Sequence, residues 1–188
     1  MKSIISKLNY LFVSLFLLLA ACTDEEDPNH RDLLIGTWEI QSGELADYQV
    51  TVEGVQFNKD NIGTIALIVP QANEIIEALE EGADILFPSG TLISFNEDNS
   101  FTLNDQTEVT NGTWALSDDE ETITIQANND LGINQLGFII RSLTNQAIDV
   151  ALQIDDNDLD LENLSGGELP IDIESFVIEY NFNFSKQQ

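Results

Sequence analysis

From Leu33 onward the dominant hydrophobic period of the chain is two. Residues 122–127 read Thr-Ile-Thr-Ile-Gln-Ala, and Ile148, Val150, Leu152 and Ile154 alternate with Ala147, Asp149, Ala151 and Gln153. Near the end Phe176, Ile178, Tyr180, Phe182 and Phe184 share one face, with Val177, Glu179, Asn181 and Asn183 between them. A pleated strand sends successive side chains to opposite faces, so this is the pattern of a sheet with one dry and one wet side. A helix would scatter the aromatics around its circumference. Turn-forming clusters such as Asn96-Glu97-Asp98-Asn99 and Ser117-Asp118-Asp119-Glu120 recur about every ten residues. Strands are predicted at 37–44, 48–56, 91–96, 100–104, 113–116, 121–127, 137–143, 147–154 and 175–184. The expected fold class is all-β, an antiparallel barrel or sandwich of hairpins; a barrel using eight of these strands leaves no exposed edge.

One segment breaks the rhythm. Pro70 suits a first helical position and Gly82 a helix stop. Between them Ala72, Ile75, Ile76 and Leu79 share a helical face, while Glu74, Glu77, Glu80 and Glu81 lie mostly elsewhere. A short amphipathic helix is therefore expected between the second and third strands, either plugging one barrel end or lying as a lid over a cavity. The preceding Ile65-Ala66-Leu67-Ile68-Val69 fits an extension of that helix or another strand equally well.

The amino terminus follows a different logic. Lys2 and Lys7 precede an apolar run from Tyr10 to Ala21, broken only by Ser14. The run is too short to span a ~30 Å hydrocarbon layer as a helix, which takes about 20 residues. It ends in Leu19-Ala20-Ala21-Cys22, which resembles the bacterial lipobox. In that motif small residues precede a cysteine that is diacylated, exposed by signal cleavage and then usually N-acylated. The resemblance implies a signal peptide over 1–21 and lipid attachment at Cys22 as the first mature residue, and hence a membrane partner. Two or three acyl chains, at ~0.8 kcal/mol per buried methylene, suffice for stable anchoring. Asp24-Glu25-Glu26-Asp27 follow at once. They form either a solvated tether or a run that resembles the acidic export tag of some Gram-negative lipoproteins. The second reading puts the protein at the outer membrane, on the cell surface, with the periplasmic face as the other option. Residues 22–32, with His30 exposed, then make a tether, and 33–188 make one domain.

Composition narrows the function. The 188 residues include 34 acidic and 6 basic, a net charge of −28, with one cysteine and one histidine. Without Lys2 and Lys7, four basic residues face 34 acidic ones, a net −30. Phosphate-rich partners would be repelled, so nucleic acid is excluded. A single cysteine rules out an internal disulfide framework and multi-cysteine metal centres. A Ser-His-acid triad would have to recruit His30 from the tether, and there is no phosphate-cradling glycine loop, HExxH or dinucleotide fingerprint. No catalytic residue and no cofactor is expected.

Leu34-Ile35-Gly36-Thr37-Trp38-Glu39-Ile40 resembles the opening of the lipocalin-like lipoprotein domains. In these a Gly-x-Trp enters the first strand and the tryptophan closes the barrel base. Residues 93–101, Gly112-Thr113-Trp114 and Thr122-Ile123-Thr124-Ile125 are similar to the same families. The resemblance implies a lipocalin-like (calycin-type) barrel of eight to nine strands that binds a small hydrophobic or amphipathic ligand without catalysis. Gly36 and Trp38 would close the barrel, with Lys186 over Trp38 as a cation–π partner worth ~0.5–2 kcal/mol. Phe95, Phe101, Ile123, Ile125, Tyr180 and Phe182 are the candidate ligand-facing residues, alongside Ile93, Leu103 and Phe184. The same set would equally fill a solid core, making the barrel an interaction module that presents loops to a protein or glycan.

Asp156, Asp158 and Asp160 have the alternate spacing of an EF-hand start, and calcium takes six to eight oxygens. Leu161 stands where the turn glycine belongs, however, and Gly167 where the closing glutamate belongs. A solvated acidic loop is the favoured expectation and calcium the minor one; no metal site is assigned.

Overall fold

The computed structural model describes residues 29–67, 69, 72–127, 135–158 and 173–187. Nine strands form one antiparallel sheet: β1 (Gly36–Val52), β2 (Val55–Asn58), β3 (Leu92–Phe95), β4 (Ser100–Asn104), β5 (Val109–Leu116), β6 (Thr122–Ala127), β7 (Leu136–Leu143), β8 (Ala147–Asp155) and β9 (Ile173–Lys186). Three helices accompany them: α1 (His30–Leu34), α2 (Ile62–Ile65) and α3 (Ala72–Leu86). Each strand from β3 to β9 pairs with the next, and β1 pairs with both β3 and β9. Eight strands thus close into a barrel, and β2 is an addition at the far end of β1.

β1 differs from expectation. The predicted strands over 37–44 and 48–56 are one strand of 17 residues, which follows β9 from Trp38 opposite Lys186 to Val52 opposite Ile173. The apparent break between them is the register shift at Leu45/Asp47, one of three along β1 with those at Ile40/Ser42 and Thr51/Val52. Such bulges disturb the alternation and bend the strand without ending it. The true turn comes later, where Glu53 and Gly54 both have positive φ, 49° and 75°. Two such residues make the tight reversal that suits the twist of a hairpin, and β2 returns along β1 from there.

The inward stripes are those of the alternation. Phe176, Ile178, Tyr180, Phe182 and Phe184 are all buried, as are Ile148, Val150, Leu152 and Ile154. Hairpins alternate between the two ends. The β3–β4, β5–β6 and β7–β8 connections lie at one end, here the base, together with the start of β1 and the end of β9. The β4–β5 connection and α3 lie at the other, the mouth.

α3 plugs the mouth side. Ala72, Ile75, Leu79, Gly82 and Ala83 are buried, Ile76 is half-buried, and the Tyr180 hydroxyl donates to the Leu79 carbonyl at 2.9 Å. Pro70 falls outside the described residues. Gly82 is not the stop that the sequence suggested, since the helix runs on to Leu86. A methyl group at Gly82 would overlap the Tyr180 hydroxyl. The glycine gives up about 1 kcal/mol of helix propensity so that a strand phenol can reach a helix carbonyl. Gly43 on β1 serves the same contact, because a Cβ there would stand 2.6 Å from the Phe182 ring and 3.1 Å from Ala83. Just past the helix, Phe87 wedges between Phe138 and Phe182, with ring centroids 5.7 and 5.4 Å away. Of the undecided segment 65–69, Ile65 ends α2 and Leu67 lies in a turn and is exposed.

Two outcomes follow. Gly82→Ala should destabilise the domain by about 1–3 kcal/mol in urea titrations, and Tyr180→Phe by about 1 kcal/mol. The double variant should cost clearly less than the two together, since removing the hydroxyl makes room for the methyl; additivity would refute the contact. Burial also pushes the Tyr180 phenol up to about 12 from 10.0. The folded state then keeps a proton that the unfolded chain loses first, so stability should fall as pH rises from about 10 towards 12. The fall should be shallower in Tyr180→Phe when urea midpoints are compared across that range.

Candidate functional site: the cleft at the barrel mouth

The base is shut by two tryptophans and one short helix. Trp38 is fully buried, and its indole N–H donates to the Leu34 carbonyl at 2.7 Å. The Lys186 ammonium lies 4.9 Å from the Trp38 ring centroid and donates to the Leu33 carbonyl at 2.8 Å. Gly36, with φ of 130°, makes this possible, because a Cβ there would stand 2.8 Å from the Lys186 stem. Trp114 repeats the arrangement. Its indole donates to the Asn96 carbonyl at 3.0 Å, Phe95 meets it edge-on, and the Arg31 guanidinium stands 4.8 Å over it. Arg31 also donates to the Glu97 carbonyl, and His30 Nδ1 sits 2.9 Å from the Glu120 carbonyl. Asn29 to Leu34, read from sequence mostly as tether, thus fold onto the barrel; α1 is a lid for the base, with Leu34 fully buried. Sequence reasoning missed Arg31; the Gly-x-Trp shared by residues 36–38 and 112–114 was the available signal, since each tryptophan takes one cation.

The axis is filled. Phe95 and Ile123, with Ile93, Ile148, Val150 and Phe184, surround a void of only about 20 Å³. That is room for about one water molecule, in a place with no polar lining to hold it. Tyr180 and Phe182 are spent on α3 and Phe87, as described above. Four of the six candidate ligand-facing residues therefore pack the interior, and around them, among the described residues, the axis is filled but for that void.

Phe101 and Ile125 behave differently. They line a cleft of about 230 Å³ at the mouth, with Leu86 and Phe87 from the end of α3 and Ala127 and Leu136 from β6 and β7. Phe101 reaches this place because Gly112, opposite it on β5, has no Cβ to collide with its ring. Four polar residues complete the wall: Asp105, Glu108, Thr110 and Thr91. Asp105 and Glu108, on the β4–β5 connection, are exposed at the rim. The Glu108 backbone N–H, then the Thr107 hydroxyl and N–H, hold the Asp105 carboxyl below its ordinary value, so it is ionised at neutral pH. Thr91, in the turn from α3 into β3, is 1% exposed, and its hydroxyl has no hydrogen-bond partner among the described residues. A buried hydroxyl without a partner costs about 1–3 kcal/mol. Nothing in the sequence pattern marked Thr91.

Other surfaces offer less. A depression of about 510 Å³ on the outer wall is lined largely by polar residues, and its one cation, Lys59, is already bonded to the carbonyls of Leu45 and Ala46. In the acidic stretch, Asp155 accepts from Asn157 and Asp158 accepts from the Asp155 N–H, a local turn. Asp160 and Cys22 lie outside the described residues. Among the described residues no three acidic, histidine or cysteine side chains are grouped to hold a metal ion.

No family model and no curated protein matches the chain. Among solved structures, the crystal structure of a DUF4847 family protein from Bacteroides vulgatus is similar, with 14% sequence identity over 83% of this chain and 96% of that one, and a TM-score of 0.34.

The base makes a separate prediction. Lys186→Met should lower stability by about 1–2 kcal/mol in urea titrations, through loss of the ring contact and the Leu33 bond. Trp38→Ala should cost about 3–5 kcal/mol. A neutral Lys186→Met would show that the lysine adds nothing to closure.

Proposed function

We propose that this chain is a non-enzymatic, lipid-anchored envelope protein, lipocalin-like in design, whose barrel takes a small hydrophobic or amphipathic molecule at its mouth. The observation that carries the reading is the cleft beside α3: a pocket walled mainly by apolar side chains with two carboxylates at its rim. Its volume lies just below the usual ~300–1,000 Å³ of ligand sites, which fits a short-chain molecule or the end of a longer one. The cleft's polar lining is two rim carboxylates and two threonines.

Geometry joins the site to the anchor. Six residues lie between Cys22 and Asn29, and the seven chain steps, fully extended, reach at most about 25 Å. Lipidation at Cys22 would therefore hold the base close to the membrane and turn the mouth away from it. A ligand would then arrive from the medium or from a partner, not from the anchoring leaflet. The acidic tether and the net charge favour the outer face of the outer membrane, where they oppose adsorption to anionic polymers.

A second reading draws on the filled axis. With so small a void, the barrel would serve as a rigid platform presenting its mouth loops to a protein or glycan. Native mass spectrometry of the protein separates the two. Co-purifying small adducts that vanish in Ala127→Phe, with an unchanged melting temperature, support the ligand reading. Adduct-free protein in both forms supports the platform. Labelled palmitate should enter the wild type and not Cys22→Ser; incorporation in neither would remove the anchor.

A further inference from the structure

The chain holds four basic residues beyond its first 21: Arg31, Lys59, Arg141 and Lys186. Each has a place in the fold, and none is at the mouth. Arg31 and Lys186 sit on the two base tryptophans. Lys59 is bonded to the Leu45 and Ala46 carbonyls, and Arg141 pairs with Glu179 at 3.2 Å. The mouth, by contrast, presents Asp105 and Glu108 and, among the residues that line its cleft, no cation.

Resting on the ligand reading above, we propose that the mouth cleft selects cationic amphiphiles, an alkylammonium class of ligand, over anionic ones such as fatty acids. The apolar part lies against Phe101, Ile125 and Leu136, and the cationic end meets Asp105 and Glu108 at the rim. A carboxylate or phosphate head would meet two like charges with no cation to offset them, a repulsion felt most at low ionic strength. An ammonium head gains from the same field, and it gains most at low ionic strength.

Calorimetric titration of the full-length protein at low salt with octylammonium, octanol and octanoate tests this. Octylammonium should bind at least about tenfold more tightly than octanoate, with octanol between them, and the gap should narrow at 0.5 M salt, where screening shortens to a few ångströms. Glu108→Gln should weaken octylammonium about two- to fivefold and leave octanol unchanged. Equal affinity for octanol and octylammonium, or an unaltered octylammonium affinity in Glu108→Gln, would overturn the charge selectivity and leave the cleft standing as a site. Tighter octanoate would do the same. Binding of none of the three would overturn the cleft reading itself.

Discussion

The pairing of β1 with β9 is the constraint from which the rest follows. Those two strands join the first and last parts of the domain along a ladder that runs from Trp38 and Lys186 to Val52 and Ile173. Without that seam the sheet would expose two long edges, which is the state that invites pairing with other chains. With it, the alternation along every strand acquires a common inside. The seam also sets the chemistry of the base, because the register that puts Lys186 opposite Trp38 is what brings an ammonium to an indole face. The bulges in β1 are part of the same device. A straight strand of 17 residues could not follow the wall of so small a barrel.

Closure on eight strands leaves an interior that side chains can just fill. Here they do, and the consequence is a division of labour between the two ends. At the base, two tryptophans, two cations and the carbonyls of α1 close the barrel with polar partners satisfied. At the mouth, α3 covers part of the opening and is held by one buried phenol and by Phe87. Its C-terminal end stops short of β4–β7, and the gap is the cleft. Satisfied polar groups close one end, and an apolar cleft with two carboxylates at its rim is left at the other.

Much of this was readable from the chain, for identifiable reasons. The run from Phe176 to Phe184 alternates without interruption because β9 is paired on both sides along its length, so its inward face is wholly dry. The hairpins at 96–99 and 117–120 carry the short polar residues that such turns demand, with Asn99 and Glu120 in the left-handed region. What escaped was set by tertiary contact. A bulge looks like a gap in a pattern, so one strand passed for two. Glu53-Gly54 is a weaker turn signal than Asn-Gly or Asp-Gly, so the reversal into β2 was missed. Gly82 read as a helix stop because its reason, the Tyr180 hydroxyl, lies almost a hundred residues away in the sequence. Arg31 read as tether because only the folded β5 brings Trp114 beneath it. Thr91 carried no signal at all, since burial without a partner is a property of the fold and not of the residue.

The central claim is that the axis is solid and that binding belongs to the mouth. Methyl-resolved NMR of the protein titrated with octanol tests it directly, since isoleucine, leucine and valine report both regions. The account predicts shifts at Leu86, Ile125 and Leu136 with Ile148 and Val150 unmoved. Shifts centred on Ile148 and Val150 would mean that the axis opens to ligand, and would contradict it.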